Sequence, residues 1–191
     1  MIDNVNKFLI KGIWIACGLF ICRCLFIMPE SIYDLYEAIG EVIAVTVFGR
    51  GFYNSFFWKF NPLEKVPRLM GTYSGQIEYN FTGKNKVRDV SIIIEQTLLT
   101  VKVKIVTNEV TSNTIISSLI EENDEYVLYY TYITNPRSKY SQKNPIQYGT
   151  CRLIITNKDE FYGTYWTSRQ TIGDLYLKKY VKTKEMDAKN I

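Results

Sequence analysis

No histidine occurs among the 191 residues. That absence removes the commonest general base, the commonest metal ligand and every Ser-His or Cys-His nucleophile. Cysteine is scarce and poorly placed for chemistry: Cys17, Cys22 and Cys24 fall in an apolar N-terminal run, and Cys151 stands alone. Their spacing makes neither a zinc site nor a secreted disulfide framework. The expectation is a reduced, cytoplasm-facing protein with no catalytic residue, no metal and no cofactor. Strong charge is also missing. A formal net charge of +4 argues for a small anionic ligand or anionic lipid rather than a DNA or RNA polymer. Aromatic residues are plentiful, with 15 tyrosines and 10 phenylalanines, and they suit pleated surfaces and bindable pockets.

The chain divides near residue 60. From Phe8 to Met28 runs FLIKGIWIACGLFICRCLFIM, broken only by Lys11 and Arg23. About 20 apolar residues cross a bilayer core, so this segment qualifies as a span. Pro29 ends it. The following PESIYDLYEAIG is acidic at Glu30, Asp34 and Glu37, and EVIAVTVFGRGFYNSFFWKF, Glu41 to Phe60, is apolar again. Residues 1–60 are expected to form a transmembrane helical hairpin, with spans at about 8–28 and 38–58. Lys7 and Lys11 lie at the N-terminal end of the first span, and Lys59, Lys65 and Arg68 follow the second. By the positive-inside rule both termini of this multi-pass protein face the cytoplasm. Phe52, Tyr53, Phe56, Phe57 and Trp58 would form an interfacial belt. Glu37, Glu41 and Arg50 are costly in lipid and should face other helices, a reason to expect self-association. A single span or a processed leader are the alternatives. No A-x-A cleavage site follows the run, and Trp14 fits poorly before Cys17 as a lipoprotein site.

Pro62 and Pro67 bracket a linker, residues 61–70. Beyond it, period-two alternation takes over, clearest in TVKVKIV, where Val101, Val103 and Ile105 share one face. Strands are expected at Gly71–Asn80, Arg88–Gln96, Leu99–Thr107, Asn113–Glu121, Tyr126–Ile133, Gln147–Thr156, Glu160–Trp166 and Ile172–Val181. Turn signals separate them, and only Asn135 to Asn144 makes a longer loop, polar and basic. Eight short strands without helical period predict a small eight-stranded antiparallel β-barrel over 71–182, and a disordered tail at 183–191. The fold class expected for the whole is a membrane-anchored all-β protein: two N-terminal transmembrane helices, then the barrel. An eight-stranded barrel is filled by its side chains or holds one small ligand.

Arg137, Lys139, Lys143, Arg152 and Arg169 gather around the long loop and last hairpin, with Tyr130, Tyr132, Tyr140, Tyr148, Tyr162 and Tyr165 among them. Arginine grips phosphate through a bidentate fork and tyrosine stacks on bases, so a nucleotide-like anion is one reading. Alternating tyrosines are also ordinary β-formers. GTY at 71–73 is close to the G-x-W opening of lipocalins, which leaves a membrane-anchored carrier of lipid or another hydrophobic ligand as the alternative.

The N-terminal spans, VPRLMGTYSGQI at 66–77, IIIEQ at 92–96, YYTYITNP at 129–136, QYGTCRLI at 147–154 and GTYWTSRQTIGDLYL at 163–177 together carry a resemblance. The chain resembles the two-transmembrane, β-strand-rich effectors of CBASS, the bacterial anti-phage system built around CD-NTase cyclases. The resemblance implies an inner-membrane protein whose barrel binds a cyclic di- or trinucleotide made by a cognate CD-NTase. Binding would drive homo-oligomerisation among membrane lipids, membrane disruption and abortive infection, without enzymatic chemistry. The positions it points to are Gln96, Tyr132, Asn135, Arg137, Tyr148 and Arg169 with Thr171. Tyr132 and Tyr148 would line or stack, Arg137 and Arg169 would hold phosphate, and Gln96 and Asn135 would serve base edges or turns. For Arg169 a second reading stays open, in which it closes one barrel end by stacking on Trp166 or pairing with Asp174.

Overall fold

Ser31 and Asp34 decide where the second helix begins. The Ser31 side chain accepts from the Asp34 backbone N–H while the Asp34 carboxylate accepts from the Ser31 backbone N–H, a reciprocal capping box. In the computed structural model, which describes residues 2–81, 84–157 and 159–179, α1 therefore runs Ile2–Phe26 and α2 runs Ile32–Ser55. Much of the acidic stretch expected to connect the spans is thus the first turns of α2. Two compact units divide the chain, residues 1–66 with 97–99, and residues 67–96 with 100–191.

Within the first unit the helices pair as a hairpin, fixed near both ends by arginine. Arg23 Nε bonds Glu41 Oε2 at 2.8 Å, and Arg50 Nη2 donates to the Phe8 carbonyl at 2.5 Å with its guanidinium 3.4 Å above the Phe8 ring centroid. Ala38 and Val42 are buried, yet large apolar side chains including Trp14, Leu25, Phe26 and Phe48 stand exposed. Such a wide apolar surface marks a membrane or partner site. Among the described residues only Val5–Phe26 is both long and apolar enough to cross a membrane. Helix α2, at about 36 Å, has the length but carries Asp34, Glu37, Glu41 and Arg50. The aromatic belt is corrected at one place. Trp58 lies in a short 3-10 turn, Phe57–Phe60, and is buried, whereas Phe52, Phe56 and Phe57 are exposed.

The second unit is the expected barrel. Its strands are β1 (Gly71–Phe81), β2 (Lys84–Gln96), β3 (Val101–Val106), β4 (Val110–Glu122), β5 (Glu125–Pro136), β6 (Tyr148–Ile155), β7 (Glu160–Thr167) and β8 (Ile172–Lys179). Each pairs antiparallel with the next, and β8 pairs back onto β1. The β4–β5 hairpin is longer than the sequence suggests, because Asn123 and Asp124 both take positive φ (49° and 66°) in a two-residue turn. Those residue types tolerate the left-handed conformation, which matches the twist of the flanking strands. The expected tail at 183–191, like the last residues of the expected eighth strand, lies outside the described residues.

Inward positions alternate as the pleat requires: Val101, Val103 and Ile105 on β3, Phe161 and Tyr165 on β7, Leu175 and Leu177 on β8. One end of the barrel is plugged. Leu69, fully buried, joins the core cluster with Tyr73, Ile92, Ile94 and Leu128, and Tyr73 packs on Phe161 at a centroid distance of 4.6 Å. Gln96 fastens the plug: its Oε1 accepts from Leu69 N at 2.6 Å and its Nε2 donates to Pro67 O at 2.8 Å. The Tyr73 hydroxyl donates to Leu69 O at 2.8 Å. Gln96→Leu keeps the volume but strands the buried Leu69 N–H and the half-buried Pro67 carbonyl. It is expected to cost about 2–4 kcal/mol of barrel stability, read as a lowered denaturation midpoint; an unchanged midpoint would refute the clamp.

Candidate ligand-binding site

The plugged end leaves a cavity of about 280 Å³ toward the other end. Strand register builds it in rings. One ring reads Leu128, Leu153, Gly163, Leu175, Ile77 and Arg88 across successive strand pairs. The next, toward the mouth, reads Tyr130, Cys151, Tyr165, Gly173, Tyr79 and Lys86. In this second ring the small Cys151 and Gly173 separate the tyrosines, which fit where a full set of large side chains would not. Gly149 shows the constraint most directly, since a Cβ there would run into the Tyr132 phenol.

The floor is apolar and the mouth is cationic. Ile77, Ile105 and Leu175 line the lower part, and Tyr79, Tyr130, Tyr132 and Tyr165 the wall. Lys86, Arg88, Lys143 and Arg169 line the opening together with Asn144, Gln147, Thr167 and Thr171. Residues 137–147, between β5 and β6, lie against that opening. Thr134 N donates to Gln147 O at 2.9 Å, and Gln147 N to Thr134 Oγ1 at 3.0 Å. Arg169 Nη1 donates to Lys143 O at 3.3 Å. Glu109, in the β3–β4 turn, collects three mouth residues: Arg88 Nη1 at 3.1 Å, Asn144 Nδ2 at 2.7 Å and Lys143 Nζ at 3.7 Å.

Electrostatics follow from this packing. Partial burial alone would raise the Glu109 carboxyl, but the Asn144 amide, Arg88 and Lys143 outweigh it and hold the group below its usual range. Burial keeps Tyr130, Tyr132 and Tyr165 protonated far into the alkaline range. Burial also pushes the Cys151 thiol up to about 12, which keeps it protonated at neutral pH beside Tyr130. Ser112 Oγ, Gln147 Oε1 and Thr167 Oγ1, all on the cavity wall, are buried without a protein hydrogen-bond partner. Each such group costs about 1–3 kcal/mol. Their convergence on one cavity suits a polar ligand rather than an acyl chain.

Of the seven positions to which the resemblance pointed, Tyr132, Arg169 and Thr171 come together at this cavity, where Tyr130, Lys143 and Tyr165 of the basic and tyrosine cluster also line it. The others face elsewhere. Gln96 is committed to the linker clamp. Asn135 and Tyr148 are exposed, each one residue out of phase with an inward neighbour, Thr134 and Gly149. Arg137 is exposed, and its backbone N–H bonds Glu109 O at 3.0 Å. For Asn135 and Tyr148 barrel alternation is the reason, since a shift of one residue moves a side chain from lumen to solvent, whereas Arg137 lies in the loop beyond β5.

Residues 64–179 match the family described as Cap15, cyclic dinucleotide receptor domain. A relative, the CD-NTase-associated protein 15 of Staphylococcus schleiferi, is 36% identical over 184 residues, covering 94% of this chain and 99% of its own length. The chain belongs to the Cap15 family. That bears out the resemblance to CBASS effectors. The matched receptor domain covers the whole barrel, so the cavity lies inside it.

Arg88 is the Cap15 cavity residue that sequence reading passed over. The signal was present: Arg88 falls in phase with Val90, Ile92 and Ile94, all buried, on one alternating strand. A cation in phase with a core face either ends the pattern or points into a cavity. Asn144 and Gln147 left no comparable trace, because nothing periodic tells which way a loop faces.

The buried thiol and phenols of this Cap15 barrel set a pH limit. Burial raises Cys151 from 9.0 and Tyr73 from 10.0, each to about 12. A folded-state pKa above the unfolded one stabilises fully below the unfolded value and is lost on rising through the folded value. Stability is therefore expected to hold to about pH 9 and to fall progressively toward pH 12, measured by denaturant titration across that range. Cys151 should resist alkylation until that unfolding; labelling of the native barrel at neutral pH would contradict the burial.

Proposed function

We propose that the cavity binds a cyclic dinucleotide, with phosphates held by Arg88, Lys143 and Arg169 and with bases among Tyr79, Tyr132 and Tyr165. The observation that carries this reading is the cationic mouth over an aromatic wall that holds orphaned polar atoms. Lys86, Arg88, Lys143 and Arg169 supply the positive field, and arginine presents donors to phosphate in a fixed fork. Ser112, Gln147 and Thr167 offer donors and acceptors for base edges or ribose. The matched receptor domain and the tyrosine-lined wall support the same ligand class. A lipid would meet these orphaned polar atoms without satisfying them, so the carrier reading is the weaker one.

The protein in this proposal is a two-span inner-membrane effector. Helices α1 and α2 form the membrane hairpin, with both termini cytoplasmic. The exposed apolar surface of both helices supports insertion, and the Arg23–Glu41 pair lets two charges enter lipid as a neutral unit. Cyclic dinucleotide made by a cognate CD-NTase drives homo-oligomerisation in the membrane, which then loses integrity and ends the infected cell. Binding energy alone powers the change, with no covalent step.

The test uses the detergent-solubilised full chain and equilibrium dialysis against purified cyclic di-AMP, cyclic di-GMP and cyclic di-UMP. Arg88→Met removes one charge-assisted contact and should cost about 1.5–3 kcal/mol, roughly ten- to hundredfold in Kd. Arg169→Ala should weaken binding in the same direction, with the melting temperature of the folded barrel unchanged. Absence of binding to any cyclic dinucleotide by the wild-type protein would overturn the reading.

A further inference from the structure

Glu109 stands just outside the cavity, but what it holds stands inside. Its Oε2 takes Arg88 Nη1 and Asn144 Nδ2, and its Oε1 faces Lys143 Nζ. Both carboxylate oxygens are engaged, and the side chain keeps only 18% of its exposure. The β2 strand, the β3–β4 turn and residues 137–147 thus meet on one carboxylate. We propose that Glu109 is an internal counter-anion that a ligand phosphate replaces, and that the exchange releases residues 137–147 from the barrel mouth.

The inference rests on the cavity being the cyclic dinucleotide site. Two arguments then lead to exchange rather than sharing. A phosphate that reaches Arg88 or Lys143 comes within a few ångströms of the Glu109 carboxylate, and like charges at that range repel strongly in a partly dry site. Phosphate also presents to arginine and lysine the same kind of oxygen acceptors that the carboxylate does. Size points the same way. At about 280 Å³ the cavity sits at the low end of ligand pockets, whereas a cyclic dinucleotide carries two bases, two riboses and two phosphates. Lys143, Asn144 and Gln147 must shift outward to admit it; Glu109 holds the side chains of the first two, and Arg169 adds a single bond to the Lys143 carbonyl. One exchange therefore both frees the cations and unlatches the segment.

The experiment compares the full-length wild type with Glu109→Gln in detergent, using cyclic di-AMP, cyclic di-GMP and cyclic di-UMP as probes. Removal of the competing charge should tighten binding of the accepted probe by about tenfold. Without any ligand, trypsin should cut Glu109→Gln faster than wild type after Arg137, Lys139 or Lys143, and ligand should bring wild type to the same rate. Asn144→Leu, which cuts the tie from the other side, should also be cut faster without ligand. Equal or weaker binding by a folded Glu109→Gln variant would overturn the exchange. So would unchanged ligand-free cleavage of both variants. Wild type that binds no probe would instead overturn the cyclic dinucleotide reading, while the ligand-free cleavage still decides whether Glu109 latches the segment.

Discussion

Pairing of β8 with β1 is the constraint on which the receptor domain depends. It leaves no open sheet edge among the paired strands and turns each strand's two faces into a lumen face and a solvent face. Once the sheet is closed, side-chain direction is set by parity along each strand. Tyr132 then belongs to the cavity and Tyr148 to the surface, although both are tyrosines in neighbouring strands.

Closure also forces the interior to be shared. Eight strands leave too little room for eight large side chains at each level, so Gly149, Cys151, Gly163 and Gly173 interleave with tyrosine and leucine. The outcome is graded along the axis. Leu69 and the aliphatic residues around Tyr73 fill one end solidly, and a cavity of about 280 Å³ opens only where lysine, arginine and threonine replace them. Gln96 belongs to the filled end: it satisfies the backbone of the chain entering the barrel, at the buried Leu69 and the half-buried Pro67.

The helical unit answers a different problem, that of charge beside apolar surface. Arg23 meets Glu41 across the hairpin, and Arg50 meets the Phe8 carbonyl and ring, so the charges turn toward the other helix. An ion pair and a cation–π contact give each arginine a partner beside that apolar surface. The apolar side chains are left facing outward, the reverse of a soluble protein.

Local pattern carried much of this into the sequence. Period-two alternation and turn residues located all eight strands, several short by a few residues where β2, β4 and β5 run on into their hairpins. A 20-residue apolar scale and missing histidine are equally local and spoke for the helices and against acid–base or metal chemistry. Tertiary structure alone decided what depends on distance across the barrel: which end is plugged, that Gln96 clamps the linker, and that Asn135, Arg137 and Tyr148 stand outside the cavity. It also decided that Arg88, Lys143 and Asn144 converge on Glu109, residues up to 56 positions apart by number, from 88 to 144. Periodicity reports which way a strand residue faces; it carries no register between strands and no direction for a loop, and the site is made of both.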